Sequence, residues 1–224
     1  ISKMSERKIS FAHGEFYHVY NRGNSKQVIF KDSADYRRFQ QMLFAMNVVE
    51  GVTFRLIEKE KMYRYDRGDL SVAIGGYCLM PNHFHILLTP LKEGGVHTFM
   101  QRLSTGYSMY FNKRYERRGS LFEGRFKSQH VDSDEYLKYL FSYIHLNPLK
   151  LIQADWKDVG LKNISGSKDY LDKYLFSSYF DYAVGDRAES SILKVEKFPQ
   201  YFPSRELFLK ETEEWMNYKD VFQQ

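Results

Sequence analysis

The sequence predicts an α+β fold: a mostly antiparallel sheet with helices packed on it. Three observations predict it. Short β-rich stretches alternate with helical ones, two apolar runs are joined by a tight turn at Met80-Pro81-Asn82, and the helical stretches begin at acid or hydroxyl caps. Phe16-Tyr17-His18-Val19-Tyr20-Asn21-Arg22 alternates and is rich in β-formers, so it reads as a strand ending at Gly23-Asn24. Asp32-Ser33 offers a cap for a helix over about 34–50, which Gly51 stops. A strand is expected at 52–58, and the polar stretch 59–69 reads as a hairpin loop. Val72–Met80 is an apolar strand interrupted by a bulge at Gly75-Gly76, and His83–Thr89 returns antiparallel to it.

A second helix is expected over 96–117, then an extended piece over 121–131. Asp132-Ser133-Asp134 caps a third helix that runs to about Leu146 and stops before Pro148. With two of these helices on one face of the sheet, residues 1–155 make one domain. Residues 156–224 form a C-terminal extension, helical over about 168–184 and 204–220, with nine basic and eleven acidic residues from Leu161 onward and no catalytic spacing.

Composition narrows the class. At 224 residues the chain suffices for one well-buried domain with a smaller attachment. A single cysteine, Cys78, excludes an intramolecular disulfide and fits a reducing compartment. No run approaches the ~18 apolar residues of a membrane span, and the charged N-terminus is not expected to be a secretory signal. The expectation is a soluble cytoplasmic protein with no membrane partner. Net charge is +5. Residues 102–127 hold seven cations, among them Arg102, Arg125 and Lys127, against Glu116 and Glu123, a surplus equal to that of the whole chain. Six aromatics are interleaved with them: Tyr107, Tyr110, Phe111, Tyr115, Phe122 and Phe126. Such a stretch suits a nucleic-acid strand, which needs phosphate neutralisation and stacking. It equally suits a solvated helix face with its aromatics turned inward.

Two spacings carry chemistry. In His83-Phe84-His85 the strand alternation puts both imidazoles on one face, about 7 Å apart at the backbone, and turns Phe84 to the other. They can converge on a divalent cation, or they can be two half-buried histidines with no ligand. Tyr143 and Asn147, four apart at the end of the third helix, share its face. Asn offers a neutral oxygen suited to Mg2+ or Mn2+. A tyrosine hydroxyl, with an ordinary pKa near 10, becomes a nucleophile when a nearby cation favours the phenolate. Core packing accounts for Tyr143 as well, since its neighbours Tyr136, Tyr139 and Phe141 are also aromatic, and with 18 tyrosines in the chain spacing alone does not single one out. His13, His18, His97 and His130 stand isolated and read as structural or exposed, and His145 points away from Tyr143.

Tyr77-Cys78-Leu79-Met80-Pro81-Asn82-His83-Phe84-His85-Ile86-Leu87-Leu88 resembles the signature of the REP-associated tyrosine transposases. These belong to the HUH endonucleases, in which two histidines flank a hydrophobic residue, with the single-tyrosine insertion-sequence transposases as close relatives. The resemblance continues in order. Residues 16–23 are similar to the family's opening strand, Gly119–Ser128 to its basic linker, and Tyr143-Ile144-His145-Leu146-Asn147-Pro148 to its catalytic helix, together covering about residues 11–152. The resemblance implies a ferredoxin-like α+β core and metal-dependent attack of tyrosine on single-stranded or hairpin DNA. The products would be a 5′-phosphotyrosine link and a free 3′-hydroxyl.

Carried over by position, Tyr143 is the nucleophile and His83 and His85 are metal ligands. Asn147, standing where the insertion-sequence relatives carry glutamine, is the third ligand. Arg125 and Lys127 are the expected phosphate contacts, with Arg22 and Arg102 behind them. The rivals are an HUH-like hairpin-binding module without catalysis and a metal phosphodiesterase that activates water. The site would form within one chain or in a homodimer that exchanges the third helix.

Overall fold

The computed structural model describes residues 11–51 and 57–217. Four strands, β1 (Phe16–Arg22), β2 (Val72–Met80), β3 (His83–Pro90) and β4 (Lys127–Val131), pair antiparallel in the order β2-β3-β1-β4. Helix α1 (Ser33–Ala45) connects β1 to β2, and α2 (Gly95–Arg114) connects β3 to β4. This βαββαβ order is the ferredoxin-like arrangement. Pairing of β2 with β3 shifts register between Ile74 and Gly76, where the glycine pair predicts a bulge.

The pleat sorts the side chains onto two faces. Tyr17, Val19, Phe84, Ile86 and Leu88 pack against Phe39 and Leu43 of α1 and Phe99, Leu103 and Tyr107 of α2. On the opposite face Cys78, Met80, Leu87 and Val131 meet Leu137, Leu140, Phe141 and Ile144 of α3 (Asp134–Leu146), which Ser133 caps through the Tyr136 amide. Phe84 thus enters the α1–α2 core, and His83 and His85 emerge on the α3 face.

Several boundaries differ from expectation. The strand expected at 52–58 lies, but for its last two residues, outside the described residues. The stretch 59–69 contains a 3-10 helix, Lys59–Arg64, rather than a plain hairpin loop. Helix α1 ends at Ala45 because Asn47 is needed elsewhere. Its buried amide donates to the Val72 carbonyl at 2.9 Å and accepts from the Val72 amide at 3.0 Å, acting as a strand partner for the start of β2.

The single helix expected over 168–184 is two, α5 (Ile164–Lys173) and α6 (Tyr179–Ala183), after the one-turn α4 (Trp156–Val159). Residues between them run along the free edge of β2: the Leu79 amide donates to Phe176 O at 2.9 Å and the Ser178 amide to Tyr77 O at 3.0 Å. Edge pairing outweighs helix propensity there, because it satisfies backbone groups of both segments. Helix α7 (Arg205–Asn217) packs against α3 and α6. No helix among the described residues is long and apolar enough to cross a membrane.

The extension also seats Phe198 on the bulge. A Cβ at Gly75 would lie 2.7 Å from the Phe198 ring, and the Tyr182 hydroxyl donates to the Gly75 carbonyl at 2.6 Å. Gly75→Val should therefore destabilise by about 1–3 kcal/mol through overpacking, although valine favours strands. Thermal unfolding checks this: an unchanged midpoint would mean that Phe198 yields without cost.

Candidate active site

Strand register brings the site together. Antiparallel pairing sets Arg22 opposite His83, Tyr20 opposite His85 and His18 opposite Leu87, while Lys127 of β4 pairs with Tyr20. Directly paired residues share a face, so Arg22, Tyr20, His18 and Lys127 all stand on the side of the two histidines. Helix α3 lies over that side and presents Tyr143, half-buried, with its ring centroid 5.5 Å from His85 and 6.1 Å from His18, edge to face with both. The rings of His83 and His85 are 5.0 Å apart and nearly perpendicular.

Hydrogen bonds fix how the imidazoles are presented. Asn82 donates its amide to the Lys26 carbonyl at 3.2 Å, which leaves its oxygen to accept from His83 Nδ1 at 2.6 Å. His83 Nε2 then carries the lone pair, the state a metal ligand needs. His85 Nδ1 lies 2.9 Å from His18 Nε2, with the two rings stacked. When His85 donates in that bond, its Nε2 is likewise a lone-pair site. Reading His18 as isolated is therefore corrected: it orients His85. The signal was present in the ferredoxin-like order, which puts the first strand beside the third.

Burial keeps these rings neutral. Desolvation pushes His18 down to about 4; it does the same to His83, with Lys150 and Arg22 adding repulsion. His85 is held well below its ordinary value by desolvation and then by His18, His83, Lys150 and Lys157. His145 points away from Tyr143, as expected. It bonds the Ser178 hydroxyl at 2.7 Å and is pushed down to about 3 by complete burial. Each depressed histidine stays unprotonated in the fold while the unfolded chain takes up its proton near pH 6.5. Their contribution to stability is thus greatest above pH 7 and declines as pH falls below 6.5, toward about 4 for His18 and His83 and about 3 for His145, at up to about 1.4 kcal/mol per histidine per pH unit. A urea midpoint that falls between pH 7.5 and 5.5 meets this expectation; a constant one does not.

The expected third ligand lies at the junction of α3 with a 3-10 turn, Asn147–Leu151. Asn147 is fully buried. Its Nδ2 donates to the Tyr143 carbonyl at 3.2 Å, and its Oδ1 has no hydrogen-bond partner among the described residues. An orphaned buried acceptor is costly, and a hard cation suits it. Among the described residues no three His, Cys, Asp or Glu side chains group as a metal cage. The donors are thus two neutral imidazoles on one sheet face and one orphaned amide oxygen at the end of α3, types of group that suit a divalent ion with positions left for phosphate.

The expected phosphate contacts divide. Lys127 and Arg125 are exposed, Lys127 on the histidine face, and the Asn21 amide donates to Gly124 O at 3.0 Å, holding their loop against β1. Arg22 sits at the site's edge but is bound to Glu123 through Nε at 2.9 Å and Nη2 at 3.2 Å. That pair holds the Glu123 carboxyl below the usual carboxylate range. Arg102 is not brought to the site. From α2, on the other side of the sheet, it donates to Val48 O at 2.6 Å and closes the end of α1.

The basic aromatic segment resolves toward packing. Tyr107, Phe111 and Phe122 are core residues. The Tyr110 and Tyr115 hydroxyls donate to buried Asp35 at 3.0 and 2.8 Å, and Arg114 is engaged with Asp32 and Asp35.

The family model described as "Transposase IS200 like" matches residues 17–147. No curated protein matches the chain. Among solved structures, one titled "Structure of the REP associates tyrosine transposase bound to a REP hairpin" is 14% identical. It aligns over 80% of this chain and 84% of its own, with a TM-score of 0.47. The matched residues contain the histidine strand, the third helix, Tyr143 and Asn147, and on that match the chain belongs to the IS200-like transposase family.

Proposed function

We propose that this transposase cuts and rejoins single-stranded, hairpin-bearing DNA through Tyr143. The observation that carries the reading is the Tyr143 ring at 5.5 Å from His85, on the sheet face that also holds His83 and His18. Tyr143 Oη attacks the scissile phosphorus. The Oη–P bond forms and the P–O3′ bond breaks; the phenolic proton passes to solvent, and the departing 3′-oxygen takes one from solvent to become a free hydroxyl. The downstream strand is left joined to the protein by a 5′-phosphotyrosine. Attack of a 3′-hydroxyl on that link reverses the step, so the phosphodiester energy is kept and no nucleotide cofactor is consumed.

His83, His85 and Asn147 would hold Mg2+ or Mn2+, which when bound supplies Lewis-acid polarisation of the scissile phosphate. Lys127 and Arg125 neutralise phosphates of the bound strand. His18 keeps His85 in its ligand tautomer, and α3 seats Tyr143 over the histidine face by packing Phe141 and Ile144 on the sheet.

The test is a labelled hairpin oligonucleotide incubated with the protein and Mn2+, then run on a denaturing gel. A protein-linked band that EDTA abolishes is expected. Cleavage without a linked band would instead indicate attack by water, and binding without cleavage would indicate a recognition module.

A further inference from the structure

The C-terminal extension reaches the nucleophile. Trp156 at the start of α4 is buried in a cluster with Leu146 and Leu149, immediately beyond the catalytic helix. Its burial fixes the next residue, Lys157, whose Nζ lies 4.4 Å from the centroid of the Tyr143 ring. The same ammonium is 5.7 Å from the Tyr139 ring, and Lys150 stands 5.7 Å from Tyr143. Tyr139 and Tyr143, one turn apart on α3, have centroids 5.9 Å apart, and Trp215 of α7 packs edge-on against Tyr139 at 5.3 Å. Tyr143 therefore stands in a slot whose far wall is built by residues beyond the catalytic core.

We infer that Lys157 is a positioning residue for Tyr143, holding its ring by a cation–π contact and so directing its hydroxyl toward the histidine strand. The inference rests on the reading of Tyr143 as the nucleophile. A half-buried tyrosine at the end of a helix can swing its ring about the Cα–Cβ bond, which carries the hydroxyl with it. On one side His85 and His18 meet that ring edge to face. A cation on the ring completes the restraint and is strongest where water is partly excluded. Small displacements of a reacting atom are costly in rate without being costly in affinity. A positioning role thus separates kinetically from a phosphate-binding one.

The experiment compares wild type, Lys157→Met, Lys157→Arg and Tyr143→Phe in single-turnover formation of the DNA-linked protein with Mn2+ and a hairpin oligonucleotide. The dissociation constant of the hairpin is measured in parallel without metal. Lys157→Met should slow linkage about tenfold with affinity within about twofold, and Lys157→Arg, which keeps the cation, should recover most of the rate. If wild type forms the link and Lys157→Met forms it equally fast, the inference alone falls. A rate loss matched by an equal loss of affinity, or one that arginine does not rescue, assigns Lys157 to binding or packing and also overturns it. If wild type forms no link, or Tyr143→Phe still does, the nucleophile assignment falls and the inference with it.

Discussion

Tyr143→Phe should fold, bind the hairpin oligonucleotide with affinity within a few-fold of wild type, and form no DNA-linked protein. Removing one hydroxyl leaves the ring and its edge contacts with His85 and His18 in place. In the proposed reaction the hydroxyl forms the bond to phosphorus, so its loss should lower strand cleavage by roughly 10⁴-fold or more, as expected when a nucleophile is removed from a site that otherwise stays intact. Gel shift and a cleavage time course measure the two quantities separately. A phenylalanine variant that cleaves at a comparable rate would move the nucleophile to another group or to water.

The second large effect concerns the histidine strand. His85→Ala should abolish Mn2+ binding by titration calorimetry and cleavage along with it, because only His83 and the Asn147 amide remain as donors. His18→Ala should be milder, weakening Mn2+ by about 10–100-fold, since it removes the partner that orients His85 and not a ligand. The order of the two losses is the diagnostic. Equal losses would make His18 a ligand in its own right; no loss in either would place the metal elsewhere.

Much of this site was legible because its spacing is local. The alternation His83-Phe84-His85 alone predicts two faces, and the structure places Phe84 in the α1–α2 core and both imidazoles opposite. Tyr143 and Asn147 are expected together because a single helical turn separates them; the contact between them is from the Asn147 amide to the Tyr143 backbone carbonyl. What stayed illegible depends on contacts between distant segments. His18 becomes a site residue only through pairing of β1 with β3, 67 residues away in sequence.

Arg102 looked like a phosphate contact from the charge of its neighbourhood, yet the open carbonyls after α1 claim it. The aromatics of residues 102–127 were ambiguous because helical spacing does not say which face is buried. Asp35, buried beneath Tyr110 and Tyr115, decides the matter for those two. The break between α5 and α6 follows from the free edge of β2, a demand for backbone partners that no local pattern announces. The same dependence on distant segments hid Lys157, whose place beside Tyr143 is set by the burial of Trp156.

In the proposed reaction one particular tyrosine of 18 carries the DNA. The most direct test is to digest the DNA-linked protein with protease and nuclease and to locate the remaining nucleotide by tandem mass spectrometry. A nucleotide joined through its 5′-phosphate to Tyr143 is expected, on the peptide that also contains His145 and Asn147. A nucleotide on any other residue, or cleaved DNA with no modified peptide, would contradict it.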